Sequence, residues 1–402
     1  MKSEKIHLRD DVFIVAFTKD WGDVPTCTTH ILREMAQSIQ VLWVCSIGTR
    51  KPQVGSLKDW RRLLHRIATG LQKAVLKENR LRVLRPILIP KAEWRFCRWL
   101  NRLLFRFYLW REVPRSFKGT IEYWCFVPNA VDLLPARGDE AVHGNRKDVA
   151  CRIIYYCADD WTKFHNLDGA WMSDKESRLI KRADAVFATS RYLVEKFNAL
   201  CQGAETPPVV YMPHGVDYEA FAKALDRKLP LPADLAGIPK PIVGFYGNLH
   251  AWVDFALIAR LAAACPQWSF VLIGEIYADV SILRCHGNVH FLGRREHAVL
   301  PDYCRGFDAA IIPYDLLHAR MESVNPVKAK ELLAAGVPVV ASPVPELAHY
   351  ADHIMLCESD AAWITALEHQ LELPEAARML ISQSVRNEGW SRKVLDIRDK
   401  IG

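Results

Sequence analysis

One short stretch, "SVNPVKAKELLAAGVPVVAS" at residues 323–342, holds charged residues at positions where they could do chemistry. Asn325 and Pro326 predict a helix start, because asparagine caps helices and proline suits the first helical position. Lys328 then falls in the first turn, where its charge opposes the helix dipole at a cost of about 0.3–1 kcal/mol. A helix N-terminus already binds anions, so a diphosphate there would offset that cost. The sequence therefore predicts that Lys328 binds phosphate.

Two further features near this helix suit a nucleotide. Glu331 lies three residues after Lys328, on the same side of the predicted helix, where its carboxylate can accept from both hydroxyls of a ribose. Gly247 follows a predicted strand, so backbone N–H groups there can approach a phosphate closely. The alternative is that Lys328 and Glu331 form a surface ion pair without a ligand.

Short apolar runs alternate with helical patterns along most of the chain, which is typical of parallel sheets with helical crossovers. The first set of predicted strands is 11–17, 41–47, 121–127, 152–158, 185–190 and 209–213. The second set is 242–247, 269–275, 288–293, 307–314 and 337–342. A polar, proline-bearing passage at 218–240 between the sets is predicted to be a linker. The fold class is therefore α/β, with ligands expected at the carboxyl ends of the strands.

These patterns divide the chain into three predicted parts. Residues 1–225 form a first Rossmann-like domain, and residues 226–385 form a second Rossmann-like domain that binds the ligand with Lys328. Residues 386–402 are a terminal helix that can pack back on the first domain. We expect the two domains to face each other across a cleft.

Composition excludes several classes of protein. The chain has 402 residues, of which 50% are hydrophobic and 25% charged, an ordinary globular balance. No apolar run reaches the roughly 20 residues that span a bilayer, and the first residues do not resemble a signal peptide. The eleven cysteines lack zinc-like spacing, which favours reduced thiols in the cytoplasm.

The net charge of +7 is concentrated in residues 58–118, which hold 17 Lys/Arg against 4 Asp/Glu. Part of this stretch, "EWRFCRWLNRLLFRFYLWREV", interleaves arginines with large aromatic residues. Such a pattern favours a helix that lies on an anionic membrane surface. Two alternatives are a core helix whose arginines extend to solvent and a nucleic-acid patch. We expect a membrane surface and no nucleic acid as the partner.

Asp159 and Asp160 follow the predicted strand at 152–158 and would face the cleft. Either carboxylate could act as a base that deprotonates an acceptor hydroxyl. They could instead cap the next helix, because aspartate is a good N-cap residue. No paired aspartates stand beside the phosphate site, so no obligatory metal and no other cofactor is expected.

Several segments resemble the GT-B glycosyltransferases, most closely bacterial family-4-like members of teichuronic-acid biosynthesis and more distantly xanthan glucuronosyltransferases. These segments include "RIIYYCADDWTKF", "YMPHGVD", "GFYGNLHAWVDF" and "NPVKAKELLAAGVPVVAS". The resemblance implies that Glu331 contacts the nucleotide ribose and Lys328 the diphosphate. The family's other motif glutamate would fall at Ser323, where the usual carboxylate contact to the donor sugar is missing, although Glu322, one position earlier, could substitute for it. It also implies donor-binding roles for Gly247, Asn248, His250, Arg294, Tyr314 and Asn325.

The function implied by this resemblance is transfer of a sugar from a nucleoside diphosphate donor, most simply a UDP-sugar. The acceptor would be a lipid-linked or cell-surface polysaccharide precursor, and the enzyme would lie peripherally on the inner face of a bacterial cell membrane. One alternative is a GT-B-like nucleotide-sugar epimerase, which needs no separate acceptor. Another is a noncatalytic binder of nucleotide sugars or polyanions, as the missing motif glutamate would allow.

Overall fold

A computed structural model describes residues 9–23, 25–46, 73–89, 94–135, 148–164, 167–201 and 206–402. The chain forms two compact units. The amino-terminal unit is Met1–Met212 together with Ile397–Gly402, and the carboxyl-terminal unit is Pro213–Asp396. All eleven cysteines are free thiols.

The amino-terminal unit is built on an eight-stranded sheet with strand order β3-β4-β2-β1-β5-β6-β7-β8. Every neighbouring pair is parallel except β3 with β4, which is antiparallel. The central strands are fully buried, as expected for a sheet covered on both faces. The strands are β1 Val12–Phe17, β2 Gln40–Val44, β3 Val75–Glu78, β4 Leu81–Leu84, β5 Gly119–Cys125, β6 Val149–Cys157, β7 Ala185–Ala188 and β8 Val209–Tyr211.

Four helices of the amino-terminal unit are α1 Cys27–Met35, α2 Arg95–Glu112, α3 Gly169–Ile180 and α4 Arg191–Leu200. Side-chain caps explain two of the starts: Asp168 accepts from the N–H of Trp171 and Ser190 from that of Leu193. The strand order reverses direction between β1 and β5, so the loops after these strands flank the switch point of the sheet.

The carboxyl-terminal unit has a six-stranded, wholly parallel sheet with strand order β11-β10-β9-β12-β13-β14. This is the order of a Rossmann sheet, and its switch point lies between β9 and β12. The strands are β9 Ile242–Tyr246, β10 Ser269–Ile273, β11 Val289–Gly293, β12 Ala309–Ile312, β13 Val339–Ala341 and β14 Ile354–Leu356.

The predicted linker at 218–240 is folded into the carboxyl-terminal unit. Phe221, Ala224 and Leu235 are buried in the core of that unit, and two short helices lie within the passage. The units therefore divide after Met212, earlier than the polar composition suggested.

The remaining helices of the chain are α5 Tyr218–Phe221, α6 Ala233–Ala236, α7 Phe255–Ala264, α8 Ser281–Arg284, α9 Leu300–Cys304, α10 Val327–Ala334, α11 Asp360–Leu371, α12 Glu375–Gln383 and α13 Trp390–Ile401.

Helix α2 lies within the basic stretch 58–118, of which residues 58–72 and 90–93 fall outside the described residues. One side of α2 is fixed to the unit. The Asn101 side chain exchanges two hydrogen bonds with the backbone of Ile89, and the Tyr108 hydroxyl accepts from Ile87 N–H. The other side is exposed. Nowhere in the described residues is a helix long and apolar enough to cross a membrane.

Candidate functional site

Two closely packed glycines follow β9 and β10, beside the switch point of the carboxyl-terminal sheet. Gly247, just after β9, has φ of +135°, and Gly274, just after β10, has φ of +157°. A Cβ on Gly274 would lie 1.9 Å from the Gly247 carbonyl oxygen. Only glycine fits such an approach, so the backbone at the end of β9 is held in an open, accessible turn.

Helix α10 begins close to this turn. It starts at Val327, with Pro326 in the capping position and no side-chain cap. The predicted cap was therefore wrong: Asn325 lies one residue too early, and it is buried. Because Pro326 takes an extended conformation (ψ 107°), Lys328 becomes the second helical residue. Proline at the capping position has no side-chain oxygen that could accept from the N–H groups of the first turn of α10.

The Lys328 ammonium lies directly against Gly247, since a Cβ on that glycine would be 2.3 Å from Nζ. Two aromatic rings flank the ammonium: its distance to the ring centroid is 4.4 Å for Phe245 and 5.4 Å for Tyr314. Within the described part of the chain, no carboxylate lies within ion-pair distance of Lys328. The predicted phosphate residues Gly247 and Lys328 are therefore neighbours, with Tyr314 beside them.

Glu331 is buried and turned away from Lys328. Its two carboxylate oxygens contact Tyr246 OH at 2.9 Å and His297 Nε2 at 2.7 Å. Although burial opposes a charged imidazole, the hydrogen bond to Glu331 and its charge raise the pKa of His297. Burial and the Glu331 charge also raise the pKa of Tyr246 well above its usual value. The Lys328–Glu331 surface pair is therefore absent.

Each oxygen of Glu331 keeps a second lone pair after these contacts, so the carboxylate still has capacity to accept from a diol. Sequence reasoning missed both Tyr246 and His297. Tyr246 had a usable signal, because it is the last residue of β9 and directly precedes Gly247. His297 had none, since it meets Glu331 only through tertiary packing.

The predicted phosphate residue His250 is part of an aromatic stack. Its ring lies 3.9 Å from the ring of Trp252, with 11° between the planes, and 5.9 Å from the ring of Tyr277. Its Nδ1 accepts from the N–H of Ala251 at 2.9 Å. Arg320 covers the same tryptophan at 4.7 Å. The stack closes one side of the loop after β9.

The remaining donor-site candidates occupy different surroundings. Asn248 is exposed beside Gly247, on the same turn. Arg294 is half exposed after β11 and lies 3.9 Å from a carboxylate oxygen of Glu275. Ser323 is buried, and its hydroxyl donates to the backbone carbonyl of Arg320 at 3.0 Å. Ser323 thus stabilises its own loop and has no carboxylate that could contact a sugar.

Lys330, two residues after Lys328, differs from it in having a carboxylate partner. Its ammonium donates to the carbonyl of His214 and to the carboxylate of Glu388. The hydroxyl of Tyr350 also donates to Glu388, at 3.0 Å. Burial lowers the pKa of Lys330 to about 8, although the Glu388 charge opposes that shift. This network fixes helix α10 to the segments at 213–217 and 388–390 of the same unit.

In the amino-terminal unit, Asp160 is buried and fully engaged. Its Oδ1 accepts from Thr162 N–H at 3.0 Å and from the Lys196 ammonium at 2.7 Å. Burial opposes its charge, but the hydrogen bonds from Lys196 and Thr162 lower the pKa of Asp160. Lys196 also donates to Glu176 at 2.9 Å. These contacts favour the capping role that the sequence left open for Asp160.

Asp159 is less buried than Asp160 and lies near the start of α1. Burial, together with the Asp159 charge, raises the pKa of Cys27 to about 12. Its role as a base stays a prediction. In the residues described, no group of three or more His, Cys, Asp or Glu side chains could hold a metal ion.

Comparisons with known proteins extend these observations. Residues 240–372 match the family model "Glycosyl transferases group 1". A protein of Bacillus subtilis (strain 168), named "Putative teichuronic acid biosynthesis glycosyltransferase TuaH", is 31% identical over 208 residues. That alignment covers 48% of this chain and 51% of the relative, so the match spans about half the relative's length.

Solved structures match over nearly the whole chain. Anabaena Alr3699/HepE in complex with UDP and glucose has a TM-score of 0.62 at 14% identity, covering 96% of this chain and 98% of that one. An α,α-trehalose-phosphate synthase (UDP-forming) from Burkholderia vietnamiensis has a TM-score of 0.66 at 14% identity, covering 98% and 99%. These matches confirm the predicted α/β fold with two Rossmann-like domains, and the family match confirms the predicted resemblance.

Proposed function

We propose that this chain, which has the GT-B fold and a group 1 glycosyl transferase domain at residues 240–372, transfers a sugar from a UDP-sugar donor. The acceptor is a lipid-linked or cell-surface polysaccharide precursor. The teichuronic-acid relative supports the acceptor class, and the UDP-bound structural neighbour supports the donor nucleotide.

The observation that carries this proposal is the environment of Lys328. A lysine in the first turn of α10 lies against Gly247 at the switch point, between two aromatic rings and without a carboxylate partner among the described residues. Two aromatic rings offer cation–π contacts, but among the described residues no carboxylate balances the Lys328 charge, which lies unfavourably near the helix N-terminus. A diphosphate placed there meets the ammonium, the backbone N–H groups at the start of α10 and the glycine turn together.

This arrangement suits a leaving group. During transfer, the bond between the anomeric carbon and the β-phosphate oxygen breaks, and a bond from the acceptor oxygen to that carbon forms. Negative charge grows on the departing UDP, where Lys328 and the helix N-terminus stabilise it. The acceptor hydroxyl loses its proton to a base, for which the sequence predicts Asp159 or Asp160; the contacts of Asp160 with Thr162 and Lys196 favour Asp159 for this role. We expect Glu331, one turn into the same helix, to accept from the ribose hydroxyls.

Helix α2 supports a peripheral position on an anionic membrane surface. Phe96, Trp99, Leu103, Phe107 and Trp110 are each at least 40% exposed, although they are large and apolar. At 100° per residue they fall within an arc of about 80°. A helix that is packed on one side and aromatic on the other, with arginines between, is typical of an interfacial helix. We expect the enzyme to meet its lipid-linked acceptor there.

The donor assignment is tested by titrating the full-length protein with UDP by calorimetry. We expect Lys328→Met to weaken UDP binding about 10-fold to 100-fold, because it removes one charged contact to the diphosphate. The control is Lys228→Met, which removes an exposed lysine of the same unit and should leave UDP affinity unchanged.

Turnover is measured as UDP release from a panel of UDP-sugars in the presence of a lipid extract. The proposed function predicts acceptor-dependent release that falls in Lys328→Met and not in Lys228→Met. Equal release by both variants would refute the role of Lys328. UDP binding without any release across the panel would instead support the noncatalytic alternative.

A further inference from the structure

The carboxylate of Glu331 is held by two side chains that reach it from the ends of different strands. Tyr246, the last residue of β9, donates its hydroxyl to one oxygen at 2.9 Å. His297, just beyond the end of β11, contacts the other oxygen with Nε2 at 2.7 Å. Because a carboxylate only accepts hydrogen bonds, His297 Nε2 is the donor in this contact. Both strands end at the edge of the sheet where ligands bind.

These two contacts fix a torsion that is otherwise soft. The last torsion of a glutamate side chain has broad minima, so a carboxylate without partners turns over a wide range. In Glu331 each oxygen accepts one hydrogen bond, and turning the group would break both. A carboxylate that is already oriented can bind a diol without the entropic cost of being ordered by it.

The imidazole of His297 is itself fixed by packing. Its side chain is 25% exposed, and its ring meets the ring of Phe221 edge-on, with centroids 5.6 Å apart and 62° between the planes. Phe221 is 1% exposed and belongs to the core of the unit. Helix α5 therefore supports the imidazole, and the imidazole in turn supports the carboxylate.

Tyr246 connects the same carboxylate to the proposed phosphate site. Its side chain is buried, and its hydroxyl lies 3.5 Å from the backbone carbonyl oxygen of Lys328. The next residue is Gly247, against which the Lys328 ammonium lies. The orientation of Glu331 is therefore fixed relative to the residues proposed to bind the diphosphate, as recognition of the attached ribose requires.

We propose that His297 is a positioning residue for the donor: by donating to Glu331, it orients the carboxylate towards the ribose hydroxyls, so that ribonucleotide donors are selected over deoxyribonucleotide donors. This inference rests on the proposed function. It adds a selection that Lys328 does not provide, because UDP and 2′-deoxy-UDP carry the same diphosphate.

The test compares the affinities of UDP and 2′-deoxy-UDP for each full-length variant by calorimetry. We expect wild type to bind UDP about tenfold more tightly, because the 2′-hydroxyl donates to a carboxylate. His297→Leu keeps an apolar side chain against Phe221 and removes the donor, which should reduce this ratio to about threefold or less. His297→Gln can place an amide N–H near the position of Nε2 and should keep more of the ratio. Tyr246→Phe removes only the other donor hydroxyl and should also lower the ratio.

The ratio of the two affinities separates positioning from stability. Partial unfolding weakens the apparent binding of both nucleotides equally, so it leaves the ratio unchanged. The matched control is His290→Leu, at a histidine of β11 that has no hydrogen bond to Glu331, and it should keep the wild-type ratio. In a Glu331→Ala background, His297→Leu should lower UDP affinity no further, because His297 acts through Glu331.

Four results would contradict the inference in distinguishable ways. An unchanged ratio in His297→Leu would show that its contact with Glu331 serves stability alone. A further loss in the Glu331→Ala background would show that His297 does not act through that carboxylate. A wild-type ratio near one would remove Glu331 from the ribose and leave the role of Lys328 standing. Failure of wild type to bind either nucleotide would refute the proposed donor, and the inference with it.

Discussion

Two lysines beside parallel sheets, one in each unit, have opposite surroundings. Lys196 lies near the carboxyl end of β6, and its ammonium is 2.7 Å from Asp160 and 2.9 Å from Glu176. Lys328 lies near the carboxyl end of β9, where two aromatic rings and a glycine surround its ammonium. Asp160 and Glu176 neutralise the charge of Lys196, whereas no carboxylate among the described residues neutralises the charge of Lys328.

The difference separates a structural cation from a binding one. Two buried carboxylates beside Lys196 would be costly without it, so its role is stability. The carboxylate nearest in sequence to Lys328 is Glu331, and that carboxylate is turned to Tyr246 and His297 instead. The positive charge of Lys328 therefore stays available to a ligand.

The largest expected effect follows from removing the structural cation. Lys196→Met leaves Asp160 and Glu176 buried, with side-chain exposures of 1% and 0%, and without their shared partner. We expect a loss of about 3–5 kcal/mol in the free energy of unfolding, measured by urea denaturation. Lys328→Met, measured in parallel, should change that free energy by less than about 0.5 kcal/mol. Similar losses in both variants would contradict a structural role for Lys196 and a binding role for Lys328.

A second prediction concerns the glycine against which Lys328 lies. Gly247→Ala places a Cβ 2.3 Å from the ammonium and forces alanine to φ of +135°. We expect about 1–3 kcal/mol of destabilisation from backbone strain, together with weaker UDP binding because the ammonium must move. The control is Gly237→Ala, where a Cβ meets nothing within 4 Å. Unchanged UDP affinity in folded Gly247→Ala would count against a phosphate at this turn.

The smallest expected effect concerns Glu331, the carboxylate that contacts His297 and does not pair with Lys328. Because the pKa of His297 is raised in the folded protein, its stabilising contact with Glu331 is fully present below the ordinary histidine pKa of about 6.5. That contribution is lost as the pH rises through the higher folded pKa. Urea denaturation across this range should show the decline in wild type and a flatter profile in His297→Gln. His369→Gln, at an exposed histidine of α11, should retain the wild-type profile.

Much of the fold was predictable, because buried strands of a parallel sheet read as continuous apolar runs. Each predicted strand has a counterpart in the structure. Three observed strands were missed: β3, β4 and β14. Strand β3 reads Val-Leu-Lys-Glu and is largely exposed, and β14 has three residues. Such short or polar segments acquire their structure from pairing with a neighbour, which a local pattern does not encode.

The candidate site was predictable only in part. Gly247 and Lys328 were expected at one ligand, and the structure places them in contact. The cap at Asn325 was wrong because the extended Pro326 itself takes the capping position. Of the partners of Glu331, Tyr246 had a signal in its position directly before Gly247, whereas His297 could not be predicted, since it meets Glu331 only through tertiary packing. Spacing along one helix identifies which side chains share a face, and it does not identify what packs against that face.

Lys330 has a consequence for chemical labelling. Burial lowers the pKa of Lys330 to about 8, so the enclosed amine loses its proton more readily than that of an ordinary lysine. Neutral amines are the ones that acylating reagents attack, yet the Lys330 side chain is only 1% exposed. Acylation of Lys330 therefore requires its enclosure with His214 and Glu388 to open. Its modification rate, followed by peptide mass spectrometry, therefore reports how often the structure around helix α10 opens locally.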